Sequence, residues 1–186
     1  MITGYTFAQS SKTPHLLNSP YPGTVTTTDG QIIKGYVISG SVTDNQKRCI
    51  FYTDLKDPGT RKEYSPNDLA DYTIEDVQYK SMNYSGNIGF GKANRNFLFM
   101  SQPGRISTFL YYQDHTGQIL WQRGDEESIS NASMLFGFKK SLLKLVDDDP
   151  EIKAKVESKE KGYSNVTNLP TIIQEYNTRH TNNPSN

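Results

Sequence analysis

Gly23–Gly40 reads GTVTTTDGQIIKGYVISG. Two β-branched runs flank Asp29-Gly30, and such runs favour pleated, half-buried chain. Asp-Gly supplies the positive backbone angles of a tight two-residue hairpin turn. The stretch therefore predicts two antiparallel strands joined by a close turn, and the fold grows outward from this pair. KRCIFYT (47–53) reads as a third strand. TRKEY (60–64) reads as a short fourth one, after the turn chemistry of Asp57-Pro58-Gly59. In SPNDLADYTIEDV (65–77), Ser65, Pro66 and Asp68 fit the start of a single helical turn, and a fifth strand follows from about Asp71 to Val77. Five short strands with one helical turn before the fifth is the order of a small SH3-like β-barrel. An open meander within one larger sheet fits the same segments.

Beyond residue 95 the pattern is repeated more strongly. NFLFMSQPGRISTFLYYQDHTGQILWQR (96–123) holds three apolar runs separated by Gln102-Pro103-Gly104 and by Asp114-His115-Thr116-Gly117. Both separators are turn chemistry, so a further three-stranded antiparallel meander is expected. The last third has helical spacing. Leu135, Phe138, Leu142, Leu145 and Val146 form one apolar stripe, with Asn131 or Ser133 as cap. Asp149, Pro150 and Glu151 open a second helix that should stop at Gly162. A third should place Leu169, Ile172, Ile173 and Tyr176 inward. The expected class is α+β. Residues 1–22 read as an extended leader, 23–130 as a β-rich region, 131–180 as a C-terminal helical unit and 181–186 as a tail.

Composition limits what such a chain can do. Its 186 residues suffice for one domain, or for two small modules sharing a core. Lys+Arg and Asp+Glu number 20 each, so no global charge drives it toward nucleic acid or an anionic membrane. No apolar run reaches the roughly 18 residues of a membrane span. Cys49 is the sole cysteine and lies in an apolar run, so neither an internal disulfide nor a cysteine zinc site can form. The opening residues include YTFAQS (5–10), which resembles the end of an export signal. The expectation is a chain that starts inside such a signal and is exported to the periplasm or cell surface.

Catalytic patterns are sparse. Gly86, Gly91 and Lys92 have phosphate-loop spacing, but position 93 is Ala where the magnesium-binding hydroxyl belongs. The flanking segments are polar before and strand-like after, so this is a chance match and no nucleotide is implied. His15, His115 and His180 have no partner at metal-ligand spacing, and no metal or other cofactor is expected. Asp125-Glu126-Glu127 reads as an acidic linker, and Asp147-Asp148-Asp149 as the junction of two helices. The sequons at Asn83, Asn131 and Asn165 match chance in an Asn- and Ser-rich chain. Tyr111, Tyr112 and Trp121 lie on adjacent strands and can stack on a sugar or peptide, with core packing as the alternative.

The segments GTVTTTDGQIIKGYV, KEYSPNDL, FLFMSQPGRISTFLYY, FKKSLLKLVDDDPEI and IIQEYN, taken in order, resemble a family of uncharacterised, typically exported proteins of Bacteroidota. The resemblance spans Gly23 to Asn177. It implies export, a β-rich domain followed by helices, and no established activity. Members often carry a cysteine just before the proline of DPE and another shortly after YN. Asp149 and Arg179 stand there in this chain. The resemblance thus implies an absent disulfide clamp, with an Asp149–Arg179 ion pair in its place. The functional expectation is a non-catalytic binding or assembly protein of the cell envelope, with an envelope protein or glycan as partner. A hydrolase of envelope peptide or glycan, assembled only in three dimensions, is the alternative.

Overall fold

A computed structural model describes residues 15–84, 94–113 and 116–181. Its strands are β1 (Pro20–Thr27), β2 (Ile32–Ile38), β3 (Cys49–Tyr52), β4 (Arg61–Tyr64), β5 (Leu69–Ile74), β6 (Val77–Asn83), β7 (Arg95–Gln102), β8 (Ile106–Gln113), β9 (Thr116–Arg123) and β10 (Ile129–Ser130). The helices are α1 (Val42–Lys47), α2 (Asn131–Leu145), α3 (Pro150–Glu157) and α4 (Leu169–Thr181). All ten strands join one open antiparallel sheet, in the order β10-β9-β8-β7-β6-β5-β1-β2-β3-β4.

This corrects the expectation of an N-terminal SH3-like barrel or meander followed by a separate meander. The decisive element is β6, whose polar sequence VQYKSMN gives little strand signal. It pairs with β5 on one side and β7 on the other, and so fuses the two expected units. The β1–β2 turn is also longer than expected. Gly30 takes a left-handed φ of 86°, and its N–H donates to the Thr27 carbonyl at 3.0 Å. That makes a three-residue loop with glycine at the left-handed position.

The strand registers divide the side chains between two faces. Face one carries Val25, Val37, Cys49, Phe51, Tyr72, Ile74, Tyr79 and Phe97, all buried in one apolar cluster. Tyr72 stacks on Tyr79 at 4.8 Å and meets Phe97 edge-on at 4.9 Å. Gly35 admits the Phe51 ring. A Cβ there would lie 2.2 Å from the Tyr52 carbonyl oxygen and 2.5 Å from that ring.

Helix α1, missed in the sequence reading, is six residues long and lies on face one beside β7 and β8. Two buried amides hold it. The Asn45 amide bonds both Gly40 N–H and the Tyr79 hydroxyl, while the Tyr72 hydroxyl donates to the Asn45 carbonyl at 2.7 Å. The Gln46 amide donates to the Tyr112 carbonyl at 2.9 Å and accepts from the Tyr112 N–H at 2.6 Å. The β7–β8 pairing ends at Phe99 and Leu110, so Gln46 takes the place a strand would fill against Tyr112.

Helices α2, α3 and α4 cover the far end of face one. Ile106, Trp121 and Ile129 meet Met134, Leu142, Leu145, Ile152, Val156, Leu169, Ile172, Ile173 and Tyr176 there. All four residues expected inward on α4 are buried. The α2 stripe differs in one residue. Gly137 is non-helical (φ −152°, ψ 53°), and the break buries Met134 and leaves Leu135 exposed. Serine 130 caps α2, not Asn131 or Ser133.

The acidic triplet fastens these helices to the sheet. Asp149 caps α3 through the N–H groups of Glu151 and Ile152. It also accepts from Arg179 Nε at 2.8 Å, so the expected ion pair is present. Asp148 binds Arg105, just before β8, at 2.6 Å, Arg123 of β9 at 2.7 Å and the Tyr176 hydroxyl of α4 at 2.8 Å. Asp147 adds a bond to Arg123 at 2.5 Å.

Among the described residues, the buried side chains of face two lie at one end. Lys80 of β6 reaches Gln122 of β9 at 3.2 Å although β7 and β8 lie between them. Flat strands would set β6 and β9 about 14 Å apart. The sheet therefore curls over face two here, around Met82, Leu98, Phe109, Tyr111 and Leu120.

Candidate functional site

At the other end, face two of β1–β4 is covered by no described helix. Cross-strand register builds two rows. Pro22, Tyr36, Tyr52 and Arg61 form one, and Pro20, Ile38, Ile50 and Glu63 the next. Tyr36 is exposed, Tyr52, Ile38 and Ile50 are half-buried, and both prolines are exposed. The strands alternate because face one takes Val37 and Phe51 into the core, which turns Tyr36 and Tyr52 outward. The result is an aromatic and aliphatic block on four rigid strands. Its rim is charged: Lys34 beside Tyr36, and Arg61 paired with Glu63 at 3.1 Å on the edge strand β4. β4 is only four residues long and exposes Arg61, Lys62 and Glu63, which discourages pairing through its free edge.

Where the sheet curls, Lys80, Ser81, Met82, Asn83, Arg95, Gln122 and residues 125–128 line a polar cleft of about 360 Å³. Its three carboxylates each have a cationic partner: Asp125 with Lys80 at 3.0 Å, Glu126 with Arg123 at 2.7 Å, and Glu127 with Lys144 at 2.6 Å. The hydrogen bond and charge of Lys144 hold Glu127 below the ordinary carboxylate range. A general acid needs the opposite shift.

Asp148 and Asp149 behave likewise. Burial raises Asp148, but the Tyr176 hydroxyl and then Arg105 and Arg123 outweigh it and hold the carboxyl low. Burial also opposes ionisation of Asp149, and the Ile152 N–H and Arg179 overcome it. Tyr176 is pushed up to about 12, first by burial and then by its bond to Asp148. The two carboxylates are thus held charged beside a neutral phenol, which suits a structural joint.

The aromatic residues singled out from the sequence do not share a platform. Tyr111 lies on face two, buried against Tyr84 with the rings edge-on at 5.5 Å. Trp121 lies on face one, buried under the helices. Tyr112 is half-buried on face one, its backbone held by Gln46. Gly86, Gly91, Lys92 and His115 lie outside the described residues. Cys49 is buried, and desolvation pushes its thiol far up, as in an inert core cysteine. His15 bonds Glu75 at 3.1 Å, and the His180 ring lies tilted against that of Tyr176 at 4.2 Å. Among the described residues, no group of three or more His, Cys, Asp or Glu is placed to hold a metal ion.

Clustering in sequence does not single out Tyr36 and Tyr52. A signal for them exists in IIKGYVI: Ile33, Gly35 and Val37 fill one face, yet Ile32, Tyr36 and Ile38 leave the other apolar too. A strand that is apolar on both faces has two surfaces to cover. Comparison with known proteins finds no matching family model, no similar curated protein and no similar solved structure.

Proposed function

We propose that this chain is a non-catalytic binding or assembly module of the cell envelope, exported to the periplasm or cell surface, and that it engages its partner through face two of β1–β4. The observation that carries this reading is the Pro22–Tyr36–Tyr52 row beside Pro20–Ile38–Ile50, an apolar and aromatic centre with Lys34, Arg61 and Glu63 at its rim. An apolar, aromatic centre inside a polar rim is the composition of protein interfaces. The two isoleucines favour a protein or peptide over a glycan, because sugar platforms need polar neighbours for the hydroxyls. The pairing of every carboxylate in the polar cleft supports binding over hydrolysis.

The test replaces Tyr36 and Tyr52 together with Ala and compares wild type and variant as bait for an envelope extract. Both side chains point away from the core, so the variant should retain its Tm. The reading predicts a retained envelope protein that the double variant loses. Equal retention by the variant, or retention of glycan alone, would overturn it.

A further inference from the structure

A second surface stands apart from the β1–β4 face. Leu135 is 68% exposed and Phe136 is 90% exposed, side by side on the first turns of α2. Helical spacing alone would bury Leu135. The break at Gly137 sets the preceding turn out of phase, so Met134 enters the core and the next two residues project. The helix that carries them is cationic. Helix α2 carries Lys139, Lys140 and Lys144, all exposed, and no acidic residue. Lys139 donates to the Glu157 carbonyl, and Lys144 pairs with Glu127. Lys140 bonds no other described residue. The chain is neutral overall, so this cationic helix is a local feature.

We propose that Leu135 and Phe136 form a membrane-contact wedge that inserts into the interface of a bilayer carrying anionic headgroups, with the α2 lysines drawn to those headgroups. An apolar pair followed by lysines on one helix is the composition of an interfacial anchor. A projecting pair also suits a fluid surface, which needs no matching recess. Attachment by two side chains should be weak and reversible, and distinct from a membrane span. No described helix is long and apolar enough to cross a bilayer.

The test is co-sedimentation of the full chain with phosphatidylcholine vesicles, with and without phosphatidylglycerol. The expected result is binding to the anionic vesicles that high salt weakens. Leu135→Ser/Phe136→Ser should lower the partition about tenfold or more. Lys140→Glu should lower it less. Both variants alter exposed positions, and an unchanged Tm would confirm that they fold. Failure to bind anionic vesicles would overturn the proposal, as would undiminished binding by the double variant. Self-association in sedimentation velocity that Phe136→Ser abolishes would assign the pair to a second copy of the chain instead, and would also overturn it.

Discussion

Replacing Gln46 tests how α1 is held to the sheet. The side chain is 2% exposed and satisfies both polar groups of the Tyr112 backbone, at 2.6 and 2.9 Å. Gln46→Ala strands that N–H and that carbonyl. Each unsatisfied buried group costs about 1–3 kcal/mol. Tyr112 is half-buried, so the low end of that range applies, about 1–1.5 kcal/mol for each group, and the two together should cost about 2–3 kcal/mol. For a chain of this size that lowers Tm by roughly 5–10 °C. Gln46→Glu separates the donor from the acceptor. A neutral carboxylic acid can still donate to the Tyr112 carbonyl, whereas a carboxylate faces it with like charge. The folded pKa of that glutamate should therefore exceed its unfolded value of about 4.3. Its stability relative to wild type is then kept below that value and lost as pH rises through the folded pKa. Urea unfolding followed by the single tryptophan, buried Trp121, reads both variants. A Gln46→Ala cost below about 0.5 kcal/mol would refute the reasoning. So would a Gln46→Glu deficit that stays flat from acid to neutral pH.

Further substitutions probe the joints. Tyr176→Phe removes a hydroxyl that donates to Asp148 and accepts from Arg105, and should cost about 1–2 kcal/mol in urea unfolding. Because Tyr176 is raised to about 12 from an ordinary 10, wild type should lose stability as pH climbs between those values, and the Phe variant should lose less. Asp149→Ala removes the α3 cap and should cost about 1–2 kcal/mol, while Asp149→Ser should recover most of it, as read by Tm. Asp148 and Asp149 are held low, so their contribution is present above the unfolded Asp value of about 3.9 and lost as pH falls below it. The Ser variant should accordingly show a shallower acid limb. Gly35→Ala drives a methyl group into the Tyr52 carbonyl and should cost at least about 2 kcal/mol, or prevent folding altogether, in the same assay.

The parts that sequence chemistry disclosed are those set by neighbouring residues. The Asp149-Pro150-Glu151 helix start depends on one turn of chain, and so does the inward set Leu169, Ile172, Ile173 and Tyr176. The strands around Gln102-Pro103-Gly104 also rest on local turn chemistry. Sheet order is different in kind. It depends on β1 meeting β5 and on β6 joining β7, pairings between segments that carry no mark of their partner. β6 escaped notice because Lys80, Ser81 and Asn83 interrupt its alternation; Lys80 reaches across the curl, and Ser81 bonds Pro66 at 2.5 Å. Six residues are too few for a helical period to reveal α1. Gly137 did carry a signal, since a mid-helix glycine costs about 1 kcal/mol against alanine and invites a break. The candidate face was hidden for a related reason. Tyr111, Tyr112 and Trp121 stood out by clustering in sequence, whereas Tyr36 and Tyr52 are 16 positions apart and meet only through the β2–β3 register.

Photo-crosslinking at position 36 tests the proposed binding face most directly. Benzoylphenylalanine placed at Tyr36 in cells, with Tyr163 of the helical region as control position, should yield a discrete adduct with an envelope protein at position 36 alone. Adducts of equal strength at both positions, or none at 36 while the protein is folded and in place, would contradict the assignment.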